Sequence, residues 1–323
     1  MCGKKAVLAL MVGAVMGLSN VAQATTLKLS HNQDVSYPVH KAMKFMADRA
    51  KELSDGELKI RIYPNAQLGS QRESLELVQN GALDMAKSNA AELEAFAKPY
   101  GAFNLPYLFK DSDHLYRGLD SDIGKQILLS GKDKGFIGLT YYDAGARSFY
   151  AKKAITSPAD LKGMKVRVQP SPTAVKMIEL LGGSPTPLAF GELYTALQQG
   201  VVDAAENNVP SMTMNRHSEV TKFFSLDEHT MIPDVLVISS KVWEKLPEKE
   251  QKALSQAAAE SMLEMKKLWA ESEATERAVA EKQGVQFVTV DKEAFRKAVE
   301  PMYDQLKKDD PEMFTLVDGL RNK

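Results

Sequence analysis

The stretch Leu161-Lys162-Gly163-Met164-Lys165-Val166-Arg167-Val168-Gln169-Pro170-Ser171-Pro172 decides how the chain is organised. Val166 and Val168 share one face of a short strand, so Arg167 points to the other. Pro170 and Pro172 cannot continue a ladder, and the strand must stop there. Pro172 to Leu181 then reads as a helix ended by Gly182-Gly183, Phe190 to Gln199 as a helix ended by Gly200, and Val201 to Ala205 as a strand. A planar guanidinium at the mouth of an α/β sheet can grip a carboxylate with two parallel charge-assisted hydrogen bonds. Alone, an arginine beside a strand end is more often a solvated or ion-paired surface charge. The rest of the chain reverses that reading.

The same alternation occurs once before. Leu27 to Ser30 reads as a strand, and Pro38 to Leu53 as an amphipathic helix with Ala42, Phe45, Met46 and Ala50 on one face. Glu57 to Tyr63 alternates as a second strand, Ser70 to Asn80 is a helix ended by Gly81, and Leu83 to Ala86 is a third strand. This order predicts a parallel sheet with right-handed crossovers, which binds ligands at the carboxyl ends of its strands. Between the two patterns, Phe136 to Tyr142 and Ser148 to Ala151 are strands flanking Asp143-Ala144-Gly145-Ala146-Arg147. The expected fold is therefore α/β with two lobes, each a sheet flanked by helices. No flexible linker joins them, which suits a hinged pair.

Glu248 to Gln283 contains neither glycine nor proline, with Pro247 suited to the first turn and Gly284 to the stop. At 1.5 Å per residue such a helix reaches about 50 Å, longer than one small lobe. Its apolar face is rich in alanine and lacks sustained leucine heptads, so a brace across both lobes is preferred to a coiled coil. The expected division is residues 1–24 as a signal, 25–145 plus 233–272 as the first lobe, and 146–232 plus 273–323 as the second.

Lys4 and Lys5, the apolar stretch Ala6 to Leu18, and Ala22-Gln23-Ala24 have the form of an export signal cleaved after Ala24. The apolar stretch falls short of the about 20 residues that span a bilayer. The chain's one cysteine, Cys2, leaves with the signal, so the mature protein has no disulfide, thiolate nucleophile or cysteine metal site. Removing two lysines and no acid leaves 39 basic and 42 acidic residues, a net charge of −3. That charge gives no electrostatic footprint for nucleic acid. With 44% hydrophobic residues the chain can fold on its core alone.

Enzyme signatures are missing: no Gly-x-Ser-x-Gly elbow, His-Glu-x-x-His helix or Gly-x-Gly-x-x-Gly fingerprint. Gly118 to Gln126 resembles a phosphate loop only at a glance, with glycines one residue too far apart and Gln126 in place of the magnesium-binding Ser or Thr. None of His31, His40, His114, His217 and His229 pairs with another at helical spacing, so no metal site and no cofactor are expected. His40 and His114 read as surface histidines and His229 as structural. His31, at the end of the first strand, reads equally as structural or ligand-facing. In Asp203-Ala204-Ala205-Glu206-Asn207-Asn208-Val209-Pro210 strand residues give way to polar ones, with either asparagine available to cap a helix. Arg167, Arg147 and Asn207 together would make an anion pocket without an acid/base pair.

The chain resembles the periplasmic solute-binding subunits of tripartite ATP-independent (TRAP) transporters over essentially all of its mature length. The resemblance rests on Tyr63-Pro64-Asn65-Ala66-Gln67-Leu68-Gly69, Gly81-Ala82-Leu83-Asp84-Met85, Asp160 to Val168, Ser184-Pro185-Thr186-Pro187-Leu188-Ala189-Phe190, Leu193-Tyr194-Thr195-Ala196-Leu197-Gln198 and Val202 to Asn207, in that order. It implies a two-lobe binding protein that closes around an organic acid and delivers it to integral membrane subunits. In that family Arg167 would hold the ligand carboxylate, Arg147 would be a second arginine, Asn207 would contact the carboxylate or nearby hydroxyls, and Phe190 would pack on the ligand. Asn32, Asn89 and Gln71 or Arg72 would approach its far end. Some sialic acid binders carry an acid at the Asn89 position, so sialic acid is disfavoured. The segment Ala205 to Ser211, with Tyr142 and His31, looks more like the sugar-acid binders, which points to a hexuronate such as glucuronate or galacturonate. The alternatives are a C4-dicarboxylate or another hydroxy or keto acid. A periplasmic enzyme using Glu206 or an aspartate as base is a remote rival, and service to a sensor instead of a transporter would use the same pocket.

Overall fold

The computed structural model describes residues 24–323, so the expected signal lies outside the described residues except for Ala24. In chain order the strands are β1 (Thr25–Ser30), β2 (Leu58–Tyr63), β3 (Met85–Asn89), β4 (Phe136–Tyr142), β5 (Arg147–Ala151), β6 (Lys165–Val168), β7 (Ser184–Pro187), β8 (Ala204–Asn207), β9 (Phe223–Thr230), β10 (Asp234–Ser239) and β11 (Gln286–Val288). They form two sheets, ordered β2-β1-β3-β10-β4 and β11-β9-β5-β8-β6-β7.

As expected, β1 runs parallel to β2 and to β3. The sheet as a whole is mixed, however, because β10 inserts antiparallel between β3 and β4. The second sheet is mixed too: β6 is parallel to β7 and β8, while β5 is antiparallel to β8 and β9.

Two strands begin later than expected, for one reason. Gly81 and Gly200 end their helices in the left-handed conformation. The next residues then return their amide N–H groups to the last helical turn, Ala82 and Leu83 to the Leu77 carbonyl, and Val201 and Val202 to the Ala196 carbonyl. They close caps instead of joining ladders. The strands consequently extend to Asn89 and Asn207.

The helix Pro38–Leu53 has proline in its first turn and buries Val39, Ala42, Met43, Met46 and Ala50. Met43, not Phe45, lies on that stripe, and Phe45 stays 37% exposed. The helix Glu248–Lys282 packs along Pro38–Leu53 and also against the short helix Val209–Met214. Its Leu254, Ala257, Ala258, Met265 and Trp269 join the core of the first sheet, and its Ala280 joins Tyr150, Phe224 and Val285 under the second. One face is thus buried within its own chain along both halves, as a brace requires.

The chain passes between the sheets at residues 143–146, at 231–233 and along this helix. Gly145, at the first passage, has φ +60°, and a Cβ there would lie 2.5 Å from the Glu273 carboxylate and 2.8 Å from the Trp269 ring. Only glycine fits. The C-terminal helices Pro301–Asp309 and Pro311–Arg321 correct the expected division. Tyr303 donates to the Pro106 carbonyl, His114 Nε2 bonds the Leu320 carbonyl, and Lys98 pairs with Asp310, so residues 301–323 lie against the first half. His114 is accordingly buried, not at the surface.

Candidate functional site

The carboxyl ends of β1, β3, β6 and β8 and the Asp143–Ala146 passage converge on a small polar cavity. Arg167 reaches it from β6 through a fully buried side chain. Its Nε and Nη2 donate to the Leu188 carbonyl at 3.0 and 2.8 Å, which fixes the plane of the guanidinium. Its Nη1 is buried without a partner, and among the described residues Arg167 joins no ion pair. Burial, and then the neighbouring Arg147, destabilise its charge. Glu92 lies close enough to feel that charge, but its own burial pushes its carboxyl above the usual range. The Phe190 ring lies 5.8 Å from the guanidinium carbon.

Arg147, at the start of β5, is held differently. Its Nε and Nη2 form a fork on the Glu206 carboxylate at 2.6 and 2.8 Å, Nη2 also donates to the Glu206 carbonyl, and Nη1 donates to Asn207 Oδ1 at 3.0 Å. Behind Glu206 stands His229, whose Nε2 lies 3.3 Å from Glu206 Oε2 and whose Nδ1 lies 2.6 Å from Asp227 Oδ2. Burial alone would lower the His229 pKa, but Asp227 and then Glu206 raise it to about 9. Burial likewise acts to raise Glu206, yet Arg147 and His229 together hold it at about 2. The four buried groups alternate in sign and neutralise one another, so Arg147 is braced as well as compensated.

Asn207 Oδ1 accepts from both Arg147 Nη1 and the Asn208 backbone N–H, which turns its amide Nδ2 away from these donors and leaves it as a donor at the cavity wall. Asn208 caps Val209–Met214 through the Ser211 N–H, the role one of the two asparagines was expected to take. Across the cavity Asn32 Oδ1 and Gln33 Oε1 are buried acceptors without a partner. Gln71 lines the same wall, its Nε2 on Glu92 and its Oε1 receiving the Asn89 N–H. Asn89 borders the cavity with its amide already engaged: Nδ2 donates to carbonyls 232 and 233 and to Asp234, and Oδ1 caps Ala91.

Two expected residues stand elsewhere. His31 is buried off the cavity wall: its Nδ1 accepts from the Gln33 N–H, so Nε2 carries the proton and donates to His40 Nδ1 at 2.9 Å. Burial and Lys87 lower its pKa to about 3, and it supports the Asn32-Gln33 turn as a neutral ring. Arg72 is solvent-exposed, paired with Glu76 on its own helix, and lines only an outer vestibule with Asn65, Ser70 and Gly191. Helical geometry turns the residue after buried Gln71 outward.

Sequence reasoning missed Tyr37, Lys87 and Asp234. The Tyr37 hydroxyl donates to Asn208 Oδ1 at 3.3 Å and bonds Ser211 Oγ at 2.9 Å, joining the two halves over the cavity. Lys87, on β3, is fully buried against Asp234 of β10 at 3.2 Å. Asp234 was signalled only as a lone charge before the apolar run Val235 to Ile238, and Tyr37 and Lys87, among polar neighbours, carried no such signal. Among the described residues the cavity therefore holds one cation without a carboxylate partner, Arg167, amid amides and hydroxyls.

A profile of the bacterial extracellular solute-binding proteins of family 7, the DctP group, matches residues 29–309. A solute-binding protein of Chromohalobacter salexigens is 35% identical over 318 residues, which is 97% of this chain and 95% of that one. Among solved structures, a TRAP periplasmic solute binding protein from a Bradyrhizobium species, in complex with α/β-D-galacturonate, is 42% identical with a TM-score of 0.90, covering 93% of this chain and 100% of that chain. Another, from Anaerococcus prevotii with bound α/β-D-glucuronate, is 37% identical with a TM-score of 0.90, covering 92% of this chain and 97% of that chain. With an unpaired arginine facing an amide-lined cavity between two sheets, and a family profile matched over most of its length, the chain belongs to the DctP family of TRAP-type solute-binding proteins.

Proposed function

We propose that this protein captures a hexuronate, D-galacturonate or D-glucuronate, in the periplasm and delivers it to the integral membrane subunits of a TRAP transporter. The observation that carries the reading is Arg167 Nη1, a buried cationic donor with nothing to bind, on a side chain that lines the cavity. One carboxylate satisfies it. The orphan acceptors Asn32 Oδ1 and Gln33 Oε1 call for donors, which sugar hydroxyls supply and a second carboxylate does not. Similar proteins solved with galacturonate and glucuronate support the same ligand class.

In this reading Arg167, Arg147, Asn207 and Phe190 grip the carboxylate end, while Asn32 and Gln71 meet hydroxyls, and Asn89, His31 and Arg72 act only indirectly. Residues 25–145, 233–272 and 301–323 form the first lobe, and residues 146–232 and 273–300 the second. The ligand favours the closed state because only there do both lobes touch it, and the lobes close about the hinge formed by the chain passages between the sheets. In this reading the protein binds without turnover: Glu206, the carboxylate on Arg147, is locked in ion pairs and not poised as a base. Cleavage after Ala24 accompanies export. A thermal-shift screen against uronates, aldonates, sialic acid and dicarboxylates tests the reading. Stabilisation by galacturonate or glucuronate above all others is expected, and selective stabilisation by a C4-dicarboxylate would replace it.

A further inference from the structure

The cavity carries a second charged device that the carboxylate grip does not use. Lys87 Nζ is paired with Asp234 Oδ2 at 3.2 Å and donates to Gln71 Oε1 at 3.3 Å. An ammonium has three N–H groups, so one is left. Asp234 Oδ1 accepts only from Asn89 Nδ2, at 3.1 Å, so both carboxylate oxygens keep acceptor capacity. Both side chains are buried and both line the cavity. They arise from the first sheet, where β10 begins beside the end of β3, with Asp234 in register with Asn89. Arg147, Arg167 and Asn207 arise from the second sheet.

We propose that the Lys87–Asp234 pair selects the end of the ligand remote from its carboxylate, accepting adjacent hydroxyls and rejecting a second carboxylate. The proposal rests on the hexuronate reading and adds to it the chemical basis of discrimination. A hydroxyl both donates and accepts, so two neighbouring hydroxyls match one spare ammonium N–H and one spare carboxylate lone pair. A second carboxylate has no proton to give Asp234 and brings a like charge against it. The pairing agrees: Glu206 pairs with Arg147 and Asp234 with Lys87, so among the cavity-lining cations Arg167 is left to pair with one anion. A dianion would leave one buried charge unmatched, which is the costly case. The partnerless Asn32 Oδ1 and Gln33 Oε1 add two more acceptors that a second carboxylate cannot satisfy.

The test compares D-galacturonate with D-galactarate, which has the same carbon skeleton with a second carboxylate, by titration calorimetry. The unaltered protein is expected to prefer the uronate by on the order of 100-fold. Asp234→Asn removes the repelling charge and leaves Lys87 free to meet an anion. Galacturonate should weaken about tenfold for the lost acceptor, while galactarate tightens, so the preference collapses or reverses. If Asp234→Asn does not fold, Lys87→Gln combined with Asp234→Asn retains an uncharged polar pair, and there too the preference should fall at least about tenfold. Equal weakening of both ligands in a folded variant overturns the proposal and leaves the hexuronate reading standing. Failure of the unaltered protein to bind either uronate overturns the hexuronate reading, and the proposal with it.

Discussion

Replacing Arg167 by methionine keeps a long side chain at β6 and removes its charge. Of the five N–H groups of the guanidinium, Nε and one from Nη2 hold the Leu188 carbonyl, which leaves one on Nη2 and two on Nη1 for a ligand. A carboxylate forked onto Nη1 and Nη2 receives two charge-assisted bonds of about 1.5–3 kcal/mol each. Their loss weakens binding by about 3–6 kcal/mol, or about 10²–10⁴-fold. Stability should respond differently. The variant orphans the Leu188 carbonyl, at about 1–3 kcal/mol, but it also removes a buried cation that no carboxylate pairs with directly. These oppose each other, so the ligand-free melting temperature moves only a few degrees. Calorimetry with galacturonate reads the first effect and differential scanning fluorimetry the second. Arg167→Lys keeps charge without the fork and should fall between. A Kd for Arg167→Met within threefold of the unaltered protein would refute the assignment.

Three further outcomes follow from the same geometry. Tyr37→Phe removes the hydroxyl that joins the halves through Asn208 and Ser211, and should weaken galacturonate by about 3–30-fold, the equivalent of one or two neutral hydrogen bonds; an unchanged dissociation rate would speak against the latch. His229 is raised from 6.5 to about 9, so its contribution to stability is fully present below pH 6.5 and lost as pH rises through 9. Melting temperature should decline across that window, and His229→Gln should flatten the decline; a parallel slope in both proteins would separate His229 from it. Gly145→Ala forces a positive φ on alanine and drives its methyl into Trp269 and Glu273, so it should lower the melting temperature by the equivalent of about 2 kcal/mol or more, with an unchanged melting curve as the contrary result.

Local patterning carried much of the fold into view: the strand-helix alternations, the glycine caps, and the long helix that runs from Glu248 to Lys282. What stayed hidden is non-local or breaks a local rule. β10 pairs with strands far earlier in the chain, and its antiparallel insertion leaves no trace in the run Asp234 to Ser239. β7 contains Pro185 and Pro187, which argue against a strand, and it is tolerated because it lies at a sheet edge. In the site, Arg167 was legible because prolines end its strand in a known place. Lys87 was not, since its meaning depends on Asp234, 147 residues later. His31 illustrates the reverse: position at a strand end suggested a ligand, but the His40 ring and the Gln33 amide occupy both of its nitrogens.

Trp269 sits at the passage between the sheets, against Gly145, with its ring 6.2 Å from that of Tyr37. The chain's other tryptophan, Trp243, is half-buried on a short helix that follows β10, whose opposite end carries Asp234 to the cavity. Indole emission responds to its immediate surroundings, so a movement that separates Tyr37 from Ser211 alters the environment of one fluorophore and spares the other. The molecule thus carries an intrinsic optical gauge of its own opening, readable in stopped flow without any label, with Trp243 as the internal reference.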